Sequence, residues 1–242
     1  MKRFVTERRT LLCFFTVICL ITALTQAPWF QKTLPAFARM NQQTLIIDPG
    51  HGGEDGGAVS ASGQAESQIN LAIALELDQL MGFYGVPAVM TRYTDVSIHD
   101  ESAGTLREKK VSDLHNRVAL INRIENATLI SIHQNASPNP SHRGIQVFYG
   151  EEALSMPLAQ QVQQTLTEVA APEKKRAPQH IASSVYLMNH ISCRAILVEC
   201  GFLSNPEEAR LLQERAYQMK LAMSLAACYL TSGNSQEGES FV

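Results

Sequence analysis

The sequence predicts an α/β fold: a single domain built on a mostly parallel, twisted sheet of about six strands flanked by helices on both faces. Three observations predict it. Short β-rich apolar runs, stopped by glycine or proline, recur along the chain. Between them lie stretches in which apolar residues repeat with helical spacing. Alternation of the two patterns calls for crossover connections, and hence parallel strands covered on both sides.

In chain order, Thr44-Leu45-Ile46-Ile47-Asp48 reads as the first strand, stopped by Pro49-Gly50-His51-Gly52-Gly53. From Glu66 to Met81 the apolar positions Ile69, Ile73, Leu77 and Leu80 form one stripe of a helix. Val86 to Thr91 is a second strand, and the polar segment Arg92 to Lys110 reads as a surface insertion. Ser112 to Ile124 is a second helix, with Leu114, Val118 and Ile121 on one face. Thr128 to His133 and Gly144 to Tyr149 are further strands, and Ala153 to Val169 is a helix. A loop rich in proline and lysine follows from Ala171 to His180. Ser184 to Met188 reads as a fifth strand and Ala195 to Glu199 as a sixth, ended by Gly201. Asn205 is a favourable N-cap, Pro206 suits the first helical position, and Glu207 and Glu208 suit the first turn of a helix running to about Leu230.

The chain divides accordingly into residues 1–30, 31–43, 44–231 and 232–242. Lys2, Arg3, Arg8 and Arg9 precede an apolar stretch from Leu11 to Leu24, the pattern of an export signal. Such a leader serves either as a cleaved signal peptide or as an N-terminal membrane anchor, with Trp29 and Phe30 as interfacial residues. A polar linker spans 31–43, and the polar tail 232–242 reads as disordered. The leader makes the remainder an exported, extracytoplasmic domain whose only membrane contact is that segment. A net charge of −3 over 242 residues argues against nucleic acid as a partner. Cys193, Cys200 and Cys228 follow the leader, an odd number without Cys-x-x-Cys spacing. They read as small buried hydrophobes rather than a disulfide framework.

In an open α/β sheet, sites form beyond the carboxyl ends of the strands. His51 follows the first strand, His133 ends the third and Glu199 ends the last. Each has an ordinary reading: a turn histidine, a core histidine and a carboxylate emerging into a loop. Glu66 has one too, as an acid complementing the helix dipole. Yet Glu66 shares the stripe of Ile69 and Ile73, and a carboxylate on a buried face needs a counter-charge, hydrogen bonds or a metal. Gly50 to Gly57 looks like a phosphate loop but lacks the Gly-Lys-Ser/Thr ending. Two histidines and a carboxylate, with one open position, make a catalytic zinc set of one Zn²⁺ per chain. Glu199 is placed to act as an unligated acid and base. Cys200 is a rival ligand, but adjacent strand residues point to opposite faces.

The motifs Asp48-Pro49-Gly50-His51-Gly52-Gly53, Gly57-Ala58, Glu66 with Asn70-Leu71, Thr91-Arg92, Ser131-Ile132-His133-Gln134-Asn135-Ala136 and Val198-Glu199-Cys200-Gly201-Phe202-Leu203-Ser204-Asn205 closely resemble the zinc N-acetylmuramoyl-L-alanine amidases of the type 3 family. The resemblance covers 44–231 in order. It implies zinc held by His51, Glu66 and His133, with Glu199 as the catalytic acid and base. It also implies cleavage of the amide between N-acetylmuramic acid and L-alanine in peptidoglycan. Within the family the chain is similar to the spore-cortex, germination-specific branch, which prepares muramic δ-lactam and in some members depends on an accessory sporulation protein. That branch implies a location in the forespore intermembrane space. Two departures stand out: Ser67 replaces the lysine that often follows the metal glutamate, and an Arg-Gly pair often found before residue 185 is missing around Gln179-His180. A zinc peptidase cutting stem peptides, or a wall-binding module without catalysis, are the alternatives.

Overall fold

The computed structural model describes residues 43–170 and 175–232. The expected leader, nearly all of the linker and the tail lie outside the described residues. One six-stranded sheet organises the chain: β1 (Thr44–Pro49), β2 (Ala88–Met90), β3 (Ala127–Asn135), β4 (Gln146–Tyr149), β5 (Gln179–His180) and β6 (Arg194–Phe202), in the order β2-β1-β3-β6-β4-β5. All neighbouring pairs are parallel except β4 against β6. The predicted α/β architecture is therefore the observed one.

Among the described residues six helices cover it: α1 (Glu66–Phe83), α2 (Leu106–Asn122), α3 (Glu152–Ala170), α4 (Tyr186–Asn189), α5 (Pro206–Leu212) and α6 (Arg215–Ser232). Strand alternation divides the apolar residues between two layers. Leu45, Ile47, Ile130, Ile132, Ile196 and Val198 pack with α1, α3 and α6, whereas Ile46, Leu129, Ala195 and Leu197 pack with α2 and α4. Both faces are buried, which is why β1, β3 and β6 read as continuous apolar runs rather than alternating ones. No helix among the described residues is long and apolar enough to cross a membrane.

Three expectations need correction. Helix α2 begins at Leu106, not Ser112, so the end of the supposed insertion is helical. Thr105 and Glu108 form a reciprocal capping box there, satisfying two otherwise unpaired backbone N–H groups. The fifth strand is not Ser184–Met188 but Gln179–His180. Leu187 and Met188 are instead buried by a single helical turn, fastened where Asn189 Nδ2 donates to the Ala182 and Val185 carbonyls. The last helix is two helices. Asn205 caps α5 by accepting from Glu207 N and Glu208 N, and the chain breaks at Gln213. Gln218 Nε2 then donates to the Leu212 carbonyl at the break.

Candidate metal centre

The carboxyl ends of β1, β3 and β6 lie side by side. Pro49 is in register with Ile132, and His133 with Glu199. Strand partners in register project from the same face, so His133 and Glu199 leave the sheet together. The turn after β1 places His51 beside them at φ 61°, followed by Gly52 and Gly53 at φ 143° and 60°. Such dihedrals are open to glycine and rare for a histidine. Glu66 arrives from the other side, in the first turn of α1.

His51, Glu66 and His133 offer ligand atoms within 4.8 Å of one another. His51 Nε2 lies 3.4 Å from Glu66 Oε2, and His133 Nδ1 lies 3.0 Å from Glu66 Oε1. Ligand atoms around a tetrahedral zinc with bonds of about 2.0–2.2 Å stand roughly 3.4 Å apart, so the donor set and its spacing fit that ion. The rings meet edge to face with centroids 5.1 Å apart. Close packing at this point depends on Gly50: a Cβ there would lie 2.1 Å from His133 Cε1.

Glu66 is 3% exposed and supplied with donors on both oxygens. Oε1 accepts from Gln134 N at 3.1 Å and Asn70 Nδ2 at 3.3 Å, and Oε2 accepts from Ala58 N at 2.9 Å. Burial opposes its ionisation, but His133 and His51 outweigh that effect and hold the carboxyl well below its usual range. Burial likewise opposes the charged form of His51, yet hydrogen bonds to Asp55 and Glu66 raise its pKa to about 9. The cluster thus concentrates negative charge against imidazole nitrogens, the electrostatics of a cation site.

Glu199 differs. Its Oε2 is buried without a hydrogen-bond partner. Burial, aided by the neighbouring Glu66 charge and opposed by His133 and His51, pushes its pKa up to about 7. A carboxyl group that takes or gives a proton near neutral pH is the requirement for a general acid and base.

A family model for N-acetylmuramoyl-L-alanine amidases matches residues 45–228. The chain belongs to that family. It is 35% identical over 198 residues to the germination-specific N-acetylmuramoyl-L-alanine amidase of Bacillus subtilis, covering 81% of each chain. It is 26% identical to the N-acetylmuramoyl-L-alanine amidase AmiA of Escherichia coli, over 76% of this chain and 74% of the relative. Among solved structures, the CwlD amidase of Clostridioides difficile, in complex with the GerS lipoprotein, superposes with a TM-score of 0.75 at 33% identity. That match covers 80% of this chain and 99% of the other. The protein is an N-acetylmuramoyl-L-alanine amidase acting on cell-wall peptidoglycan.

His51, Glu66, His133 and Glu199 come together beyond the carboxyl ends of β1, β3 and β6. The other histidines do not join them: His115, His142, His180 and His190 are exposed and His99 is half-buried. Cys200 is buried in the apolar layer with Val198, as alternation requires, and burial pushes its thiol pKa far up, a non-ligand's environment. Ser67, where the family often has lysine, is 1% exposed and its hydroxyl lacks a partner.

Asp55 and Arg117 escape a sequence reading, and Arg92 enters it only within the Thr91-Arg92 motif, without a role. Asp55 Oδ2 receives His51 Nδ1 at 3.0 Å, leaving Nε2 to face Glu66. Arg92, expected in a surface insertion, is 3% exposed, and Arg117 is 2% exposed. A signal existed for Arg117, which stands three residues after Leu114 and four before Ile121 on its helix, one turn from each. For Arg92 the flanking charges concealed it.

Proposed function

We propose that the amidase is zinc-dependent, with His51, Glu66 and His133 as ligands of one ion and Glu199 as catalytic acid and base. The observation that carries this reading is the convergence of three donor atoms, all within 4.8 Å of one another, beside a buried carboxyl oxygen with no partner of its own. Zinc would supply Lewis acidity toward the scissile carbonyl and would acidify water. Glu199 takes the proton from the attacking water at its unpartnered oxygen and returns it to the alanine nitrogen as the C–N bond breaks. Glu66 cannot share that work, because its oxygens are already committed. Asp55 holds the His51 ring with the correct nitrogen forward.

The natural setting we infer is spore-cortex peptidoglycan, where removing the stem peptide precedes muramic δ-lactam formation. Support comes from similarity to the germination-specific amidase of Bacillus subtilis. An accessory partner is part of the same proposal, since the similar CwlD amidase was solved with a lipoprotein. Residues 44–231 would be the catalytic domain, exported by the 1–30 leader as a secreted or anchored enzyme.

Chelation tests the metal and product analysis tests the bond. EDTA treatment should abolish muropeptide cleavage, and added zinc should restore it. Mass spectrometry of the digest should then find peptide-free muramoyl ends and free L-alanine N-termini. Retained activity in EDTA would remove the metal, and cuts within the stem peptide would make the enzyme a peptidase.

A further inference from the structure

Behind the His51 turn lie two arginines that touch no ligand atom. Arg117 donates from Nη1 to the Pro49 carbonyl at 2.9 Å and from Nη2 to the His51 carbonyl at 2.7 Å. Arg92 donates from Nε to Pro49 O at 3.0 Å, and from Nη2 to Gly50 O at 3.1 Å and Ser67 O at 2.8 Å. Three consecutive carbonyls of the turn, and the one just after Glu66, therefore end on two buried guanidinium groups.

We propose that Arg92 and Arg117 are positioning residues that hold the backbone of the metal turn, and so set where His51 and Glu66 meet. This rests on the zinc reading above. His51 occupies a backbone region unfavourable to a side-chain-bearing residue, and such a conformation persists only where its surroundings over-determine it. The turn runs through His51, Gly52 and Gly53 with positive φ, and these residues form only one β-bridge, between Gly52 and Asp55. Gly50 N also donates to Ile132 O at the start of the turn, but no ladder bond among the described residues takes up the Pro49, Gly50 or His51 carbonyls. The guanidinium forks do, because each spans two carbonyls at a fixed separation. An ammonium carries the same charge but cannot reproduce that fork.

Arg117 also balances two carboxylates, Asp48 at 2.6 Å and Asp113 at 2.7 Å. A purely structural role would rest on that charge balance. The two roles separate by substitution. Arg117→Lys keeps a positive charge near Asp48 and Asp113 but loses the carbonyl fork. Asp113→Asn weakens the ion pair and leaves the carbonyl bonds intact.

Zinc affinity of the purified full chain, measured by competition with a chelator, and the visible spectrum of the cobalt(II)-substituted protein would be read alongside Tm. Positioning predicts that Arg117→Lys loses about 10–100-fold in zinc affinity, as outer-shell changes do, with altered cobalt bands. Asp113→Asn should lower Tm while keeping the parent's affinity and spectrum. Should Arg117→Lys fail to fold, Arg92→Lys carries the same expectation in the same measurements. A folded lysine variant with the parent's zinc affinity and cobalt spectrum overturns the proposal. A parent chain that binds no zinc at all would instead sink the zinc reading on which it rests.

Discussion

The two halves of the site are built on opposite principles. On the His51–Glu66–His133 side every oxygen of the carboxylate is matched to a donor, and the turn beneath is fixed by buried arginines. On the Glu199 side, a carboxyl oxygen is buried with nothing to bond. An unmatched buried polar atom destabilises a protein by about 1–3 kcal/mol, and a fold keeps such an atom only for a reason. Under the proposed function, the first half holds the metal and the second exchanges a proton. Substitutions on the first half should change metal binding, and those on the second should change turnover.

The sharpest break of that contrast is at Glu199. Glu199→Gln preserves shape and removes the titrating group, so turnover should fall by about 10²–10⁴-fold while zinc content stays at one per chain. His133→Ala should lose both metal and activity. Zinc content by mass spectrometry and muropeptide turnover, measured on each variant, decide the matter. Equal zinc loss in the two would make Glu199 a ligand and erase the division.

A smaller effect is expected at Gly57, on the holding side. Its φ is +70°, and a Cβ there would lie 2.5 Å from Glu66 Oε2 and 2.8 Å from His51 Cδ2. Gly57→Ala must push two ligands apart without touching Glu199. Zinc affinity should drop on the order of 100-fold, and activity should recover at saturating zinc to the extent that the ligands can be pulled back. A variant with unchanged affinity but poor turnover would place the strain on the wrong half.

The parts legible in the sequence share a physical cause, as do the parts that were not. Strands β1, β3 and β6 are sandwiched between two apolar layers, so their residues announce burial directly. His51, His133 and Glu199 are visible because each interrupts or ends such a run, and Glu66 because it intrudes on an apolar helical stripe. The start of α2 is polar and exposed over its first turns, and only Thr105 and Glu108 mark it. Strand β5 is two exposed residues with no apolar signal, whereas the buried pair Leu187 and Met188 mimics a strand but occupies one turn of helix, too short to show a period. Asp55, Arg92 and Arg117 look like surface charges in the sequence. Arg92 and Arg117 find their partners among carbonyls and carboxylates up to 69 residues away, and Asp55 pairs with His51 and Lys110; such pairing is a property of the fold.

Acid sharpens the comparison further, because the support beneath the turn contains its own carboxylate. Asp48 is 1% exposed; burial opposes its ionisation, but Arg117, Thr91 and Ser131 outweigh that and hold its pKa down to about 2. The unfolded value is about 3.9. Since the folded pKa is the lower one, the stabilisation is fully present above pH 4 and is lost as pH falls toward 2. Its size is on the order of 2 kcal/mol. Urea unfolding of the zinc-free protein at pH 4 and pH 2.5 should therefore show a loss that Asp48→Asn lacks, even though that variant starts out less stable at neutral pH. Because Asp48→Asn leaves the bonds from Arg117 to the Pro49 and His51 carbonyls in place, zinc affinity and the pH response of turnover should stay at the parent's values. If Asp48→Asn were as acid-sensitive as its parent, the charge that guards the fold at low pH would have to lie among the ligands, with Glu66 the first to examine.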